Sequence, residues 1–476
     1  MTGPLPATPP DPTPRTITLT TTRPRRSGST HMRRNTGRLL RGIALLSAVA
    51  LGATACGGSD DDSTGEAVSA SDVQAALEKG GTVTVWSWEP TLKSVAADFQ
   101  KKYPKVKINL VSERSGDKHY TALSNAMSAE KGVPDVAQIE YFAVNQYALG
   151  KGLTDLASFG ADKLADKYTP GPWNAVTQDK AVYGLPMDSG PMAMFYNKRI
   201  FDKYDIAVPA TWDEYVDAAR KLHKADPKVY IANDAGDAGF TTSMLWQAGS
   251  RPYKVDGTNV KIDFSDAKAK QYTDTWQKLI DEKLVAPVNG WTDEWYKGLG
   301  DGTIATLTTG AWMPANFVSG VPNAAGDWRA APMPVWAKGD KSSAENGGSS
   351  LTLPALGKNK ELAYAFVEYA NSGEGVGTRV GEGAFPATKA ELQSADFQST
   401  KFEYLGGQEA NKIFAESAAN VASDWSYLPF QQYANSIFND TVGKAYVSGT
   451  TLADGLKTWQ DASVKYAEEQ GFTVEK

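Results

Sequence analysis

Four carboxylates, Glu89, Glu113, Glu140 and Asp188, each stand just after a run that reads as a β-strand. Four tryptophans, Trp88, Trp246, Trp312 and Trp425, fall at strand ends, helix starts or loops instead of on a regular apolar face. Strand ends are where α/β folds present ligand contacts. Two chemistries are open to this set. The carboxylates can accept hydrogen bonds from ligand hydroxyls while indole faces stack on the C–H faces of a sugar, the mixed lining that small-ligand clefts use. Alternatively, two of the carboxylates can serve as the acid and base of a glycoside hydrolase. Against both stand the plain readings, solvated loop charges for the acids and core packing for the indoles.

Other chemistries are excluded by what the chain lacks. Beyond the leader its histidines are His119 and His223, far apart, and its one cysteine is Cys56, so a Cys/His metal site or a cysteine nucleophile is not available. No G-x-S-x-G elbow and no G-x-x-x-x-G-K-[ST] loop occurs. The glycine-rich stretches Gly298–Gly302 and Gly373–Gly377 lie between helical segments and read as helix ends and turns. No cofactor and no metal is expected.

The elements that would position the acids alternate in type. Ser71–Lys79 reads as a helix, Thr82–Trp88 as a strand, Leu92–Tyr103 as a helix, and Val106–Val111 as a second strand. A helix near Tyr120–Ala129, a strand at Pro134–Ile139 and a helix near Val144–Leu149 follow. This alternation predicts an α/β fold with a mainly parallel sheet. A strand at Met192–Tyr196 opens a second α/β region, with helices at Trp212–Lys221, Ala267–Lys283 and Glu294–Gly300. Lys341–Ser350 reads as a loop leading into the strand Leu351–Leu353, and the remainder as helices at Glu361–Asn371, Glu409–Ala419, Gln432–Tyr446 and Leu452–Glu469. Tyr272, Trp276, Leu279, Ile280 and Leu284 share one helical face and are assigned to the core, as are Leu362, Phe366, Val367 and Ala370.

The amino-terminal stretch has its own pattern. Arg33, Arg34, Arg38 and Arg41 precede the apolar run Ile43–Ala50, the small residues Leu51–Ala55, and then Cys56. This order is that of a secretory signal, and a cysteine at the cut resembles a lipobox whose thiol carries diacylglycerol. Ala53 stands where leucine is usual in that box. We read 1–55 as leader and signal peptide, starting at Met1 or Met32, and 56–70 as a flexible tether. The apolar run is shorter than the roughly 20 residues needed to span a bilayer. Removing 1–55, with its eight arginines and one acid, takes the formal charge from −6 to −13. Such a surface argues against nucleic acid and anionic headgroups and fits an uncharged or cationic small ligand.

A family pattern also runs through the chain. Val182-Tyr183-Gly184-Leu185-Pro186, Met194-Phe195-Tyr196-Asn197-Lys198 and Pro209-Ala210-Thr211-Trp212-Asp213-Glu214 occur in order. Gly310-Ala311-Trp312, Asn359–Val367 and Ser448–Leu456 follow them. Together they resemble the extracellular solute-binding proteins of ABC importers, in the sugar-binding cluster that includes maltose-binding protein. The resemblance implies a two-lobed α/β fold with a ligand cleft between lobes and several hinge crossovers. One lobe would hold roughly 57–196 and 350–422, the other 197–349 and 423–476. It also implies a ligand set of Trp88, Glu89, Glu140, Tyr141, Asp188, Trp312, Gly347, Gly348 and Trp425, with Glu113 and Trp246 as further candidates. The expected function is a lipid-anchored, monomeric subunit on the outer face of the cytoplasmic membrane. It would capture a mono- or oligosaccharide and deliver it to a permease driven by a cytoplasmic ATPase. A polyol phosphate or other polar solute, or a secreted carbohydrate-active enzyme, is the alternative.

Overall fold

In strand Gly81–Trp86 threonine and valine alternate, so Val83 and Val85 turn inward while Thr82 and Thr84 face out. The strand pairs in parallel with Val106–Val111 on one side and Val136–Glu140 on the other. Strand Ser349–Thr352 then adds antiparallel to Val136–Glu140, and Leu185–Pro186 completes a five-stranded sheet. Helices cover both faces, as a largely parallel sheet requires. On one face Phe99 of helix Leu92–Lys102 meets Phe366 of helix Lys360–Ser372 with ring centroids 5.4 Å apart. On the other, Ala137 and Ile139 pack under Tyr120, Leu123 and Val144. The computed structural model describes residues 67–112, 116–178, 180–233, 237–422, 424–447 and 449–475. The leader, Cys56, the tether before residue 67 and Glu113 therefore lie outside the described residues.

A second sheet has strand Met192–Asn197 at its centre, antiparallel to both Thr306–Gly310 and Trp328–Ala331. Met192 and Met194 turn to a core built from helices Trp212–Ala225, Ala238–Ala248, Ala267–Asp281 and Leu452–Glu469. Tyr272, Trp276 and Leu279 lie in it, fully buried. Ala193 and Phe195 turn to the opposite core, with Phe317, Trp328, Tyr404 and Phe414.

Two placements differ from the lobe boundaries read in the sequence. Met192–Asn197 belongs to the second sheet, so the chain crosses between sheets before residue 192, not after 196. Residues between Phe385 and Ala418 share a core with Phe195, because that face of the second sheet needs a covering layer and Phe414 supplies it at 5.8 Å. The sheet built on Met192–Asn197 is antiparallel, within the second α/β region that the sequence led us to expect. The expected helix Gln432–Tyr446 is split into Gln431–Ser436 and Lys444–Val447. The glycines read as turns are partly helical: Gly298 and Gly300 lie inside Asp293–Asp301, with left-handed Gly302 as its cap, and Gly375 opens Gly375–Gly381. The described residues form one compact unit, and no described helix is long and apolar enough to cross a membrane.

Candidate functional site

The carboxyl ends of the first sheet's parallel strands deliver the expected acids to one place. Trp88 and Glu89 follow the first strand, and Glu140 ends the third. Asp188 follows Leu185–Pro186, and Gly347 and Gly348 lead into Ser349–Thr352, whose Ser349 lies opposite Glu140. All six line one cavity of about 790 Å³, and Trp312 closes it from the second sheet's side.

Gln138 organises this end of the sheet. Fully buried, its Oε1 accepts from Ser87 Oγ at 2.6 Å and from the backbone N–H groups of Trp88 and Glu89 at 3.1 and 3.2 Å. Its Nε2 donates to Ser349 Oγ at 2.9 Å. One amide thus fixes both the turn carrying Trp88–Glu89 and the strand entering from the second sheet. Glu89 Oε1 also accepts from Thr91 Oγ1 at 2.8 Å, and Tyr120 donates to Glu140 Oε2 at 3.0 Å. The Trp88 ring stands edge-on to His119 at 5.0 Å.

Asp188 is gripped on several sides. Its Oδ1 accepts from Ser349 N at 2.6 Å and Ser349 Oγ at 3.1 Å, and its carbonyl accepts from Tyr141 Oη at 2.5 Å. Burial, with the neighbouring Glu89 charge second, raises its pKa to about 6. Tyr141 is therefore a support beneath the site rather than part of its wall, being 1% exposed.

Segments 187–191 and 343–348 link the two sheets, and Glu345 ties them together. Its Oε1 accepts from Ser189 Oγ at 2.8 Å and Gly190 N at 2.5 Å, while its buried Oε2 has no partner among the described residues. Burial pushes its carboxyl up to about 7. Next to it, Trp312 Nε1 donates to Asn346 O at 2.8 Å. The indole lies so close to Gly190, Gly310 and Gly347 that a Cβ at any of the three would press on it.

Two of the expected tryptophans are elsewhere. Trp246 is 1% exposed within helix Ala238–Ala248, which is buried around most of its surface, and stacks on Trp425 at 4.4 Å. Both indoles meet Tyr427 edge-on, at 5.0 and 5.4 Å, and it is Tyr427 that reaches the cavity wall. Neither Trp246 nor Trp425 lines the cavity, and each covers one ring face with the other.

The wall also holds residues that the sequence did not single out. Trp291 is half exposed, adopts the left-handed φ of 65°, unusual for an aromatic residue, and tilts against Trp312 at 5.7 Å. It separates the main cavity from a neighbouring chamber of about 480 Å³, lined in part by Asn233, Asp237, Asn346 and Asn435. Asp237, Trp291, Asn346 and Asn435 border both spaces. Among the described residues, the main wall carries the carboxylates Glu89, Glu140, Asp188, Asp237 and Glu382 and no lysine, arginine or histidine. No group of described residues has the make-up of a metal site.

Two sheets joined by linking segments, with a polar cavity between aromatic faces, define the two-lobed binding-protein architecture, as the sequence led us to expect. The family model described as bacterial extracellular solute-binding protein matches residues 86–376, and the chain belongs to that family. A solved relative is the ABC transporter associated binding protein from B. animalis subsp. lactis in complex with β-1,6-galactobiose. It is 44% identical with a TM-score of 0.76, covering 83% of this chain and 99% of that one. The galacto-N-biose-/lacto-N-biose I-binding protein of Bifidobacterium longum shares the fold at 23% identity and a TM-score of 0.72, over 83% of this chain and 99% of its own. The arabinooligosaccharide-binding protein of Bacillus subtilis is 27% identical over 305 residues, 61% of this chain and 69% of the relative.

Proposed function

We propose that this protein captures a neutral oligosaccharide in the cavity between its sheets and delivers it to an ABC permease. The observation that carries the reading is the make-up of the wall. Five carboxylates, with amides from Asn316, Asn346 and Asn435, can accept from and donate to sugar hydroxyls, and Trp88, Trp291, Trp312 and Tyr427 offer ring faces. Among the described residues the wall has acids and no cationic side chain, which disfavours phosphorylated or acidic ligands through like-charge repulsion. The solved relative's β-1,6-galactobiose makes a galactose disaccharide the first ligand to try. Capture is by lobe closure: acids near the first sheet and aromatic faces near the second bury a ligand together only when the lobes approach.

Calorimetric titration with β-1,6-galactobiose, lactose and arabinooligosaccharides tests this. At least one should bind, lower the radius of gyration in small-angle scattering and be recovered uncleaved, whereas digalacturonate should not bind. Trp291→Ala should weaken binding by about 1–3 kcal/mol, a stacking contribution, with little change in ligand-free melting because the ring is half exposed. Cleavage of the sugar would transfer the site to the hydrolase reading. Equal binding of digalacturonate would overturn the assignment of ligand charge.

Delivery is proposed to occur from a lipid anchor at Cys56, with the cytoplasmic ATPase of the importer driving transport and the binding protein acting as a monomer. The signal-like order of residues 33–56 supports the anchor. Cys56→Ala should shift the exported protein from the membrane fraction to the medium, or leave its precursor uncut. Normal processing with unchanged membrane association would remove the anchor from the reading.

A further inference from the structure

Arg379 sits on helix Gly375–Gly381, behind the wall that carries Asp188, and is 2% exposed. Its Nη1 donates to Met187 O at 2.6 Å and, more weakly, to Asn371 Oδ1 at 3.4 Å. Asn371 in turn donates to Leu185 O at 2.8 Å, so this pair holds segment 185–188 from behind while Tyr141 supports it from beneath and Ser349 holds it from the cavity wall. The Nε and Nη2 groups of Arg379 are buried without a hydrogen-bond partner among the described residues. A buried guanidinium is costly unless opposite charge is near. The charges that favour it are, in order, those of Glu89 and Asp188, both on the cavity wall.

We propose that Arg379 is a positioning residue for the binding site, whose buried charge holds Asp188 as an oriented carboxylate facing the ligand without touching the ligand itself. Asp188 needs such a partner. Glu89 from the turn after the first strand crowds it with like charge, and Tyr141 adds no cation. Ser349 supplies hydrogen bonds but no formal charge. Arg379 supplies positive charge to Asp188 and opposes the rise caused by burial and Glu89. Because the cation lies behind the wall, the cavity keeps an acidic surface while its innermost acid can stay ionised. An ionised acceptor makes a hydrogen bond about twice as strong as a neutral one.

The effect on affinity rests on the sugar-binding reading, but the electrostatic effect is read without any sugar. Carbon-13 NMR of the ligand-free protein should give Asp188 a midpoint of about 6. In Arg379→Gln that midpoint should rise by about one unit or more, and in Arg379→Lys it should stay near the native value. Affinity for β-1,6-galactobiose at pH 7 should fall about twofold in Arg379→Gln, since moving the midpoint from about 6 to about 7 takes the ionised fraction there from about 0.9 to about 0.5, and should recover near pH 8.5. A merely structural role would lower affinity equally at every pH. An unmoved midpoint in folded Arg379→Gln overturns the proposal. Should that variant not fold, the Nε–H resonance of Arg379 in Asp188→Asn decides, a shift supporting the proposal and an unchanged signal ending it. Failure of native protein to bind any sugar would sink the sugar-binding reading and leave the midpoint test standing.

Discussion

Gly348→Ala is expected to destabilise the ligand-free protein by about 2–4 kcal/mol and to weaken sugar binding at least about tenfold. Gly348 has a φ of 95°, in a region that side chains with a Cβ rarely enter, and a Cβ there would overlap the ring edge of Tyr141. The ring cannot yield cheaply. Tyr141 is 1% exposed, its N–H donates to Gly348 O at 3.1 Å, and its hydroxyl donates to the carbonyl of Asp188. Displacing it therefore disturbs the site as well as the core. Gly383 is the control, because it borders the same cavity at a φ of 97° with nothing within 4 Å of the added Cβ. Gly383→Ala should cost only the backbone strain, roughly 1 kcal/mol. Denaturant unfolding of both variants separates the contributions, and equal losses would mean that contact with Tyr141 adds nothing.

What could be read from the chain, and what could not, follows the range of the interactions involved. The first sheet was legible because Thr82–Trp88 and Pro134–Ile139 alternate or run apolar between helices, and periodicity reports local structure. Glu89, Glu140 and Asp188 were found by the same rule, since strand ends converge once the strands pair. Trp246 and Trp425 were chosen because irregular surroundings suggested a ligand role, yet their partners are each other, 179 positions apart in sequence. Tyr427, two residues beyond Trp425, takes the wall position instead. Trp291 has no local signal other than the turn between Gly290 and Thr292, and its place beside Trp312 comes from tertiary packing. Arg379 was hidden for the same reason. A glycine-rich stretch read as a turn is a helix, and only that helix carries the guanidinium under Asp188. The covering of Phe195 by Phe414 likewise joins segments over 200 residues apart, beyond the reach of any pattern along the chain.

Stability is expected to rise as pH falls from about 8 to about 5, the reverse of a fold held together by ion-paired carboxylates. The source is Glu345, fully buried between the linking segments, whose carboxyl is moved from an ordinary 4.5 up to about 7 by loss of water, with Asp188 adding repulsion. A carboxyl with a raised folded pKa favours the folded state fully below about pH 4.5, and that contribution disappears as pH climbs through about 7. At about 1.4 kcal/mol per unit, the difference across the window is on the order of 3 kcal/mol. Asp188, raised to about 6, acts in the same direction over a narrower range. Glu345→Gln is the decisive variant. The neutral amide retains an oxygen able to accept from Ser189 Oγ and Gly190 N, but it has no charge to desolvate. It should therefore match the native protein near pH 5, exceed it near pH 8, and lose most of the pH slope between them. Urea unfolding at both pH values in the absence of sugar reads this directly. An unchanged slope in Glu345→Gln would show that the buried carboxyl between the lobes does not titrate in this range, and the rise in stability would then have to come from other acids.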